Sequence, residues 1–174
     1  MIICLLGKSG AGKDTLLKKI RLSKPELRPV VSYTTRPIRE NEVNGLDYNF
    51  LSLDEFNEKI KSGDIIEHRV YNTTQGDWYY GSPKLDEKND YIQVIELQGY
   101  NFIKEYYEGK HSIFGLYLNV PENIRLQRLQ KRGDNIDEIN RRLETDNNDF
   151  KNISTEPVKT FKEFLKNYYL ESIV

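Results

Sequence analysis

Seven residues near the start of the chain, Gly7-Lys8-Ser9-Gly10-Ala11-Gly12-Lys13, have the types and spacing to hold a chain of phosphates. The pattern is G-x-x-x-x-G-K. Glycines let a loop wrap so closely that several backbone N–H groups converge on one anion. Lys13 can reach the outer phosphates. The helix that opens at Asp14 turns its partial positive N-terminus toward the same anion. After the lysine such loops usually carry Ser or Thr, whose hydroxyl helps hold Mg²⁺. Here Asp14 stands there, with Thr15 next. A carboxylate so close to phosphates repels them unless a cation lies between, so Asp14 and Thr15 are candidate Mg²⁺ residues. Asp14 equally suits a helix N-terminus as a plain charge on the dipole.

Two further groups of residues could bind anions. Arg36 and Arg39 lie three apart among the hydroxyls of Ser32-Tyr-Thr-Thr35. The planar guanidinium fork pairs with phosphate oxygens two at a time, so this pair can grip a second phosphate. Arg125, Arg128 and Arg132 fall at i, i+3 and i+7 on one expected helix face, and Arg141 and Arg142 follow. Such a face can stabilise charge on a transferring phosphoryl group. It can also be a solvated face paired with Glu122 or Glu138.

The elements that must position these residues alternate. Met1–Leu6 is an apolar run suited to a strand buried on both faces. A helix is expected from about Lys13 to the Ile20–Leu22 region. Pro29–Tyr33 reads as a second strand and Tyr48–Phe50 as a short one. Ser52-Leu-Asp-Glu55 is a capping-box pattern opening a helix with Phe56 and Ile60 inward and Gly63 at its stop. Asp64–Tyr71 and Trp78–Ser82 are strands about a turn at Gly76. Tyr91–Glu96 is a strand, Gln98–Tyr107 a helix, and Ser112–Val120 a strand. Helices follow after Pro121 and from about Ile136, and a last one carries Val158, Phe161, Leu165 and Tyr168 on a stripe. Strands alternating with helices predict an α/β fold with a parallel sheet flanked by helices. The polar, short-stranded stretch of about 34–84 reads as a lobe inserted into a core of 1–33 and 85–174.

Taken together these stretches resemble guanylate kinases, which are P-loop nucleoside monophosphate kinases. The resemblance rests on Gly7–Thr15, Ser32-Tyr-Thr-Thr-Arg36-Pro-Ile-Arg39-Glu and Glu42-Val-Asn-Gly45-Leu-Asp47-Tyr48-Asn-Phe50. It continues in Ile66-Glu67, Tyr80-Gly81-Ser82, Glu96-Leu-Gln98-Gly99, Arg128, Arg132-Gly133 and Asn140-Arg-Arg142-Leu143. It implies an ATP site at Gly7, Lys8, Ser9, Gly10, Ala11, Gly12, Lys13, Asp14 and Thr15. It implies that Ser32, Arg36, Arg39, Tyr48 and Tyr80 face the acceptor phosphate, and that Glu67, Ser82 and Glu96 read guanine. It implies transfer of the γ-phosphoryl of Mg²⁺–ATP to GMP or dGMP, with Lys13, Arg36, Arg128, Arg132 and Arg142 at the transfer site and a lid at about 124–142.

The chain departs from the family pattern in three places. The usual first carboxylate of the acidic strand is Val94, which makes Asp14 the candidate to compensate. The loop from Asn72 to Trp78 is long, and Thr74 or Gln75 could add contacts. Phe150–Thr155 poorly matches the usual last strand. Ribose 1,5-bisphosphate phosphokinases share the fold and can carry Gly-Lys-Asp in the loop, and non-catalytic guanylate-kinase-like domains share the acceptor lobe; both stand as rival readings.

Composition narrows the partners. The 174 residues hold 26 basic and 27 acidic side chains, a net charge of −1 that gives no broad basic surface for nucleic acid. Small-molecule nucleotides are the expected partners. No stretch is long and apolar enough to span a membrane, and nothing resembles a signal peptide. Cys4 is the only cysteine, so no internal disulfide can form, which fits a cytoplasmic protein.

Overall fold

The continuous apolar run at the N-terminus becomes the middle of a parallel sheet. In the computed structural model, which describes residues 1–40, 42–73, 75–151 and 159–160, every residue of β1 (Ile2–Leu6) is buried. Parallel neighbours lie on both sides of it: β7 (Tyr91–Val94) and β8 (Ile113–Tyr117). The sheet is completed by β2 (Arg28–Pro29) beside β7 and β9 (Lys159–Thr160) beside β8, in the order β2-β7-β1-β8-β9. Crossovers are made by helices, as parallel pairing requires. These are α1 (Lys13–Ser23), α3 (Leu97–Tyr106), α4 (Glu122–Lys131) and α5 (Ile136–Asp149). Leu16 and Ile20 of α1, one helical turn apart, close over Ile3, Leu5, Ile92 and Leu116 of the sheet.

The chain divides into two units. One holds Met1–Pro29 and the chain from Asn89 onward; the other is Val30–Lys88. The second has its own mixed sheet, order β4-β3-β6-β5, from β3 (Tyr33–Thr34), β4 (Asn49–Phe50), β5 (Ile65–Thr73) and β6 (Gly76–Pro83). The helix α2 (Leu53–Lys61) starts on the expected capping box. Ser52 Oγ accepts from the Glu55 N–H at 3.3 Å, and Glu55 Oε2 accepts from the Ser52 N–H at 2.8 Å. Its fully buried Phe56 packs against Tyr79 of the hairpin.

Three expectations are corrected. The strand read across Pro29–Tyr33 is two strands, because Pro29 pairs with Ile92 of β7 whereas Tyr33 pairs with Gly81 of β6. The strand read to Glu96 stops at Val94, and Glu96 is the N-cap of α3. Lys159–Thr160 pair in parallel with Leu116 and Tyr117, so the final segment holds a strand where a helix from Val158 was expected. Val158, Phe161, Leu165 and Tyr168 lie outside the described residues, as does Thr74.

The core holds one unpaired polar atom among the described residues: Tyr100 Oη is buried without a hydrogen-bond partner. Leaving a buried hydroxyl unmet costs stability that a same-shape apolar ring does not lose. Tyr100→Phe is therefore expected to raise the unfolding free energy by about 1 kcal/mol in urea titrations. A loss of stability would mean that the hydroxyl is satisfied in solution.

Candidate active site

The loop between β1 and α1 takes the shape its glycines permit. Gly12, the N-cap of α1, is left-handed at φ 94°. Gly10 is left-handed at φ 76°, and a Cβ placed on it would lie 2.7 Å from the Arg125 carbonyl oxygen. Neither position admits a side chain without rearrangement. Lys13 turns back over the loop, its Nζ donating to the Gly7 carbonyl at 2.5 Å and the Lys8 carbonyl at 3.3 Å. Burial pulls the Lys13 pKa below its ordinary value, while the charges of Asp14, Asp146 and Glu96 oppose the fall. Lys8 Nζ donates to Asn147 Oδ1 of α5 at 2.8 Å.

Of the arginines of the first unit singled out from the sequence, Arg125 and Arg128 reach this loop. Arg128 Nη1 donates to the carbonyls of Gly10 at 3.2 Å and Ala11 at 3.1 Å. Arg132 pairs with Asp134, and the Asp14 charge also acts on it. Arg142 lies between Glu138, at 2.7 Å, and Asp134, at 3.5 Å. Arg125 was expected on the open arginine face, but it is only 2% exposed. Its Nε donates to the Val120 carbonyl, its Nη1 to the Ser9 carbonyl and to Asp146, and its Nη2 to Glu122. The i, i+3, i+7 spacing places it correctly on α4 but does not say which flank of that face is covered.

Asp146 was not singled out from the sequence. Its Oδ2 accepts from the Ser9 N–H at 2.8 Å and lies 3.5 Å from Arg125 Nη1. A signal was present: Ile139, Leu143 and Asp146 fall at i, i+4 and i+7, so the apolar stripe of α5 runs into a carboxylate. Burial raises the Asp146 carboxyl above its ordinary value, against the pull of Ser9, Lys13 and Arg125.

Asp14 and Thr15 are both exposed in the first turn of α1. Among the described residues no group of three or more His, Cys, Asp or Glu could hold a metal. The arrangement fits Mg²⁺, which keeps several waters and needs only one or two protein oxygens beside phosphate. Val94, where the carboxylate was missing, packs against the apolar core.

The second unit carries the other expected residues except Glu96: Ser32 just before β3, Arg36, Arg39 and Tyr48 in the stretch between β3 and β4, and Glu67, Tyr80 and Ser82 on the β5–β6 hairpin. Glu67 and Ser82 face each other across the hairpin, as do Arg69 and Tyr80. Alternation puts all four on one face of the sheet. Ser82 Oγ donates to Glu67 Oε2 at 3.1 Å, and Arg69 Nε donates to Glu67 Oε1 at 2.9 Å. Arg69 was not foreseen. Tyr48 meets Tyr80 and Phe50 edge-on. Arg36 is 4% exposed and forms a bidentate pair with Glu42, at 2.7 and 3.0 Å, while lying 5.5 Å from the ring centres of Tyr48 and Phe50. Arg39 is exposed, and its backbone N–H donates to Glu42. Ser32 is partly buried, its carbonyl accepting from the Asn49 N–H. Glu96, exposed at the N-cap of α3, belongs to the first unit.

Glu138 supplies a test by pH. Hydrogen bonds from Arg141 first and Arg142 second hold its carboxyl down to about 2, against partial burial. A depressed carboxyl stabilises the fold at pH above the ordinary 4.5, and that contribution is lost as pH falls through about 2. Glu138→Gln is expected to cost about 1 kcal/mol at pH 7, the screened value for a well-solvated pair. The difference from the parent shrinks as urea titrations are taken from pH 5 toward about pH 2.

The sequence model for guanylate kinases matches residues 1–174. Over 149 residues the chain is 38% identical to a guanylate kinase of Thermosynechococcus vestitus, covering 82% of this chain and 75% of that protein. It is 35% identical over 153 residues to one of Ruegeria sp. (strain TM1040), covering 83% and 68%. The crystal structure of a guanylate kinase from Anaplasma phagocytophilum resembles the fold with a TM-score of 0.55 at 28% identity, covering 76% of this chain and 68% of that one.

Proposed function

The chain belongs to the guanylate kinase family of nucleoside monophosphate kinases, and from that premise we propose that it transfers the γ-phosphoryl of Mg²⁺–ATP to GMP. A phosphate oxygen of GMP attacks the γ-phosphorus in line. The bond from that phosphorus to the β–γ bridging oxygen breaks, and its electrons leave with ADP. The new P–O bond gives GDP, and no covalent enzyme intermediate is needed.

The observation that carries the choice of acceptor is Glu67. Guanine offers N1–H and N2–H₂ as adjacent donors, and a fixed carboxylate accepts from both. Ser82 and Arg69 orient that carboxylate on the hairpin face. Adenine has no such donor pair, so the same carboxylate selects against it. Tyr48, Tyr80, Ser32, Arg36 and Arg39 are assigned to the acceptor phosphate, with Arg36 held ready by Glu42. Glu96 is assigned to the base as a second acceptor.

On the donor side, the loop from Gly7 to Lys13 holds the phosphates of ATP through its N–H groups and Lys13. Mg²⁺, when bound, spreads the charge of the β- and γ-phosphates; Asp14 and Thr15 would hold it directly or through water. Arg128, Arg132 and Arg142 stabilise charge on the phosphoryl group during transfer. We assign the Val30–Lys88 unit to the acceptor and about 124–142 to a lid whose closure excludes water, the competing acceptor. Among the described residues no helix is long and apolar enough to cross a membrane. We place the reaction in the cytoplasm, a reading supported by the single cysteine, buried in β1.

The test is a coupled ADP-release assay with Mg²⁺–ATP and GMP, dGMP, AMP, other nucleoside monophosphates or ribose 1,5-bisphosphate as acceptor. Turnover with GMP or dGMP, and little with AMP, is expected. Turnover with ribose bisphosphate alone would move the acceptor assignment away from a nucleotide and remove the base-reading role of Glu67.

A further inference from the structure

A phosphate-binding loop works only if its peptide groups are turned the right way before the anion arrives. Gly10 and Gly12 have no side chains to brace that arrangement, so something outside the loop must do so. The bracing comes from α4 and α5. Arg125 Nη1 holds the Ser9 carbonyl at 3.1 Å, and Arg128 Nη1 holds the carbonyls of Gly10 and Ala11. In a planar trans peptide the C=O and N–H point in opposite directions. Drawing these three carbonyls toward α4 therefore turns the N–H groups of Gly10, Ala11 and Gly12 away from it. The Ala11 N–H then meets the Lys8 carbonyl at 3.1 Å inside the loop.

Asp146 fixes the preceding peptide in the other sense. Its Oδ2 accepts from the Ser9 N–H at 2.8 Å, and its Oδ1 lies 3.4 Å from Ser9 Oγ. Arg125 and Asp146 thus clamp Ser9 from both sides, and they also approach one another at 3.5 Å. Arg125 cannot easily be displaced. It is 2% exposed, its other donors meet Val120 and Glu122, and its backbone carbonyl abuts Gly10. An apolar pair of similar volume would hold two helices together as well as a buried ion pair does. It would leave the Ser9 N–H and C=O without partners, so the polarity of the pair serves the loop.

We propose that Asp146 and Arg125 are positioning residues for the donor nucleotide, holding the phosphate loop from outside in the shape that receives the phosphates. They touch neither substrate. The inference rests on the reading of Gly7–Lys13 as the ATP site. It adds that the affinity of that site depends on a carboxylate 137 positions away from Ser9 in sequence.

The experiment is calorimetric titration with ADP, beside steady-state kinetics for ATP and GMP, on the parent, Asp146→Asn, Asp146→Ala and the double variant Arg125→Met with Asp146→Leu. Asp146→Ala is expected to weaken ADP binding about tenfold and raise the KM for ATP by a similar factor, the scale of one charge-assisted hydrogen bond. The KM for GMP stays within about twofold, because the change is confined to the donor site; a lower folded fraction would instead lower the apparent kcat and leave both KM values unchanged. Asp146→Asn keeps an oxygen for the Ser9 N–H and falls between parent and Ala. The double variant leaves no buried charge unpaired, so it folds, yet its ADP affinity stays low.

Parental ADP affinity in the double variant would overturn the proposal, since the pair would then only neutralise itself. So would variants that melt earlier but bind ADP and ATP as the parent does below the transition. A parent that binds ADP but turns over no monophosphate tells against the acceptor reading alone, and the ADP titrations still decide this inference. A parent that does not bind ADP overturns both.

Discussion

Replacing Lys13 by methionine is expected to lower kcat about a thousandfold, the scale seen when a preorganised charge at the transition state is removed. In the proposed reaction the lysine carries a charge to the point where negative charge is redistributed between the β- and γ-phosphates. Its Nζ donates to the carbonyls of Gly7 and Lys8. It leaves them only for a stronger acceptor, and phosphate oxygens are stronger acceptors than carbonyls. Methionine keeps the length of the stem and removes the charge. Lys13→Arg is expected to recover little, because the planar fork is broader than the ammonium and the site is closed by the loop. Burial also pulls the Lys13 pKa down, so the charged form is lost at lower pH than for a free lysine. The pH profile of kcat/KM for ATP, which reports the free enzyme, should therefore fall on its alkaline side before the ordinary lysine range. Single-turnover ATP assays, with near-UV circular dichroism to confirm folding, make the check. A kcat within tenfold of the parent would remove Lys13 from the transfer step.

Glu67→Gln is expected to lower kcat/KM for GMP about a hundredfold, the sum of weakening two charge-assisted hydrogen bonds. Glutamine keeps one acceptor oxygen but offers an NH₂ where guanine also offers a donor. The two donors then oppose each other, and selectivity for GMP over AMP narrows accordingly. Glu67 is 15% exposed, so water compensates poorly for the mismatch. Arg69 and Ser82 lose a charged acceptor as well, which loosens the hairpin face around the base. Initial rates over a range of GMP and AMP concentrations at saturating ATP decide it. A change below about threefold for GMP would show that the base is read elsewhere.

Some of the site is a local property of the chain. The glycines between Gly7 and Lys13 permit the loop's turns locally, because left-handed backbone at Gly10 and Gly12 costs little where there is no Cβ, whereas what holds those turns lies outside the loop. The capping box at Ser52 and Glu55 involves four consecutive residues and formed as written. The apolar run from Ile2 to Leu6 could be read as a fully buried strand, because both faces carry the same kind of side chain.

Other features depend on which distant segments meet, and local pattern carries no such information. Helical spacing put Arg125, Arg128 and Arg132 on one face of α4, but only the packing of the loop and α5 buried Arg125 and left the other two exposed. Pro29 and Tyr33 look like one strand until pairing sends them to different sheets. Arg36 was legible as a candidate for phosphate; its bidentate hold by Glu42 required the turn between them to bring the carboxylate round. Arg69 became a partner of Glu67 through hairpin register, with an irregularity between Ile65 and Glu67. Asp146 meets Ser9 only because β1 and α5 converge at one end of the sheet, so its place at the Gly7–Lys13 loop was decided by tertiary structure alone.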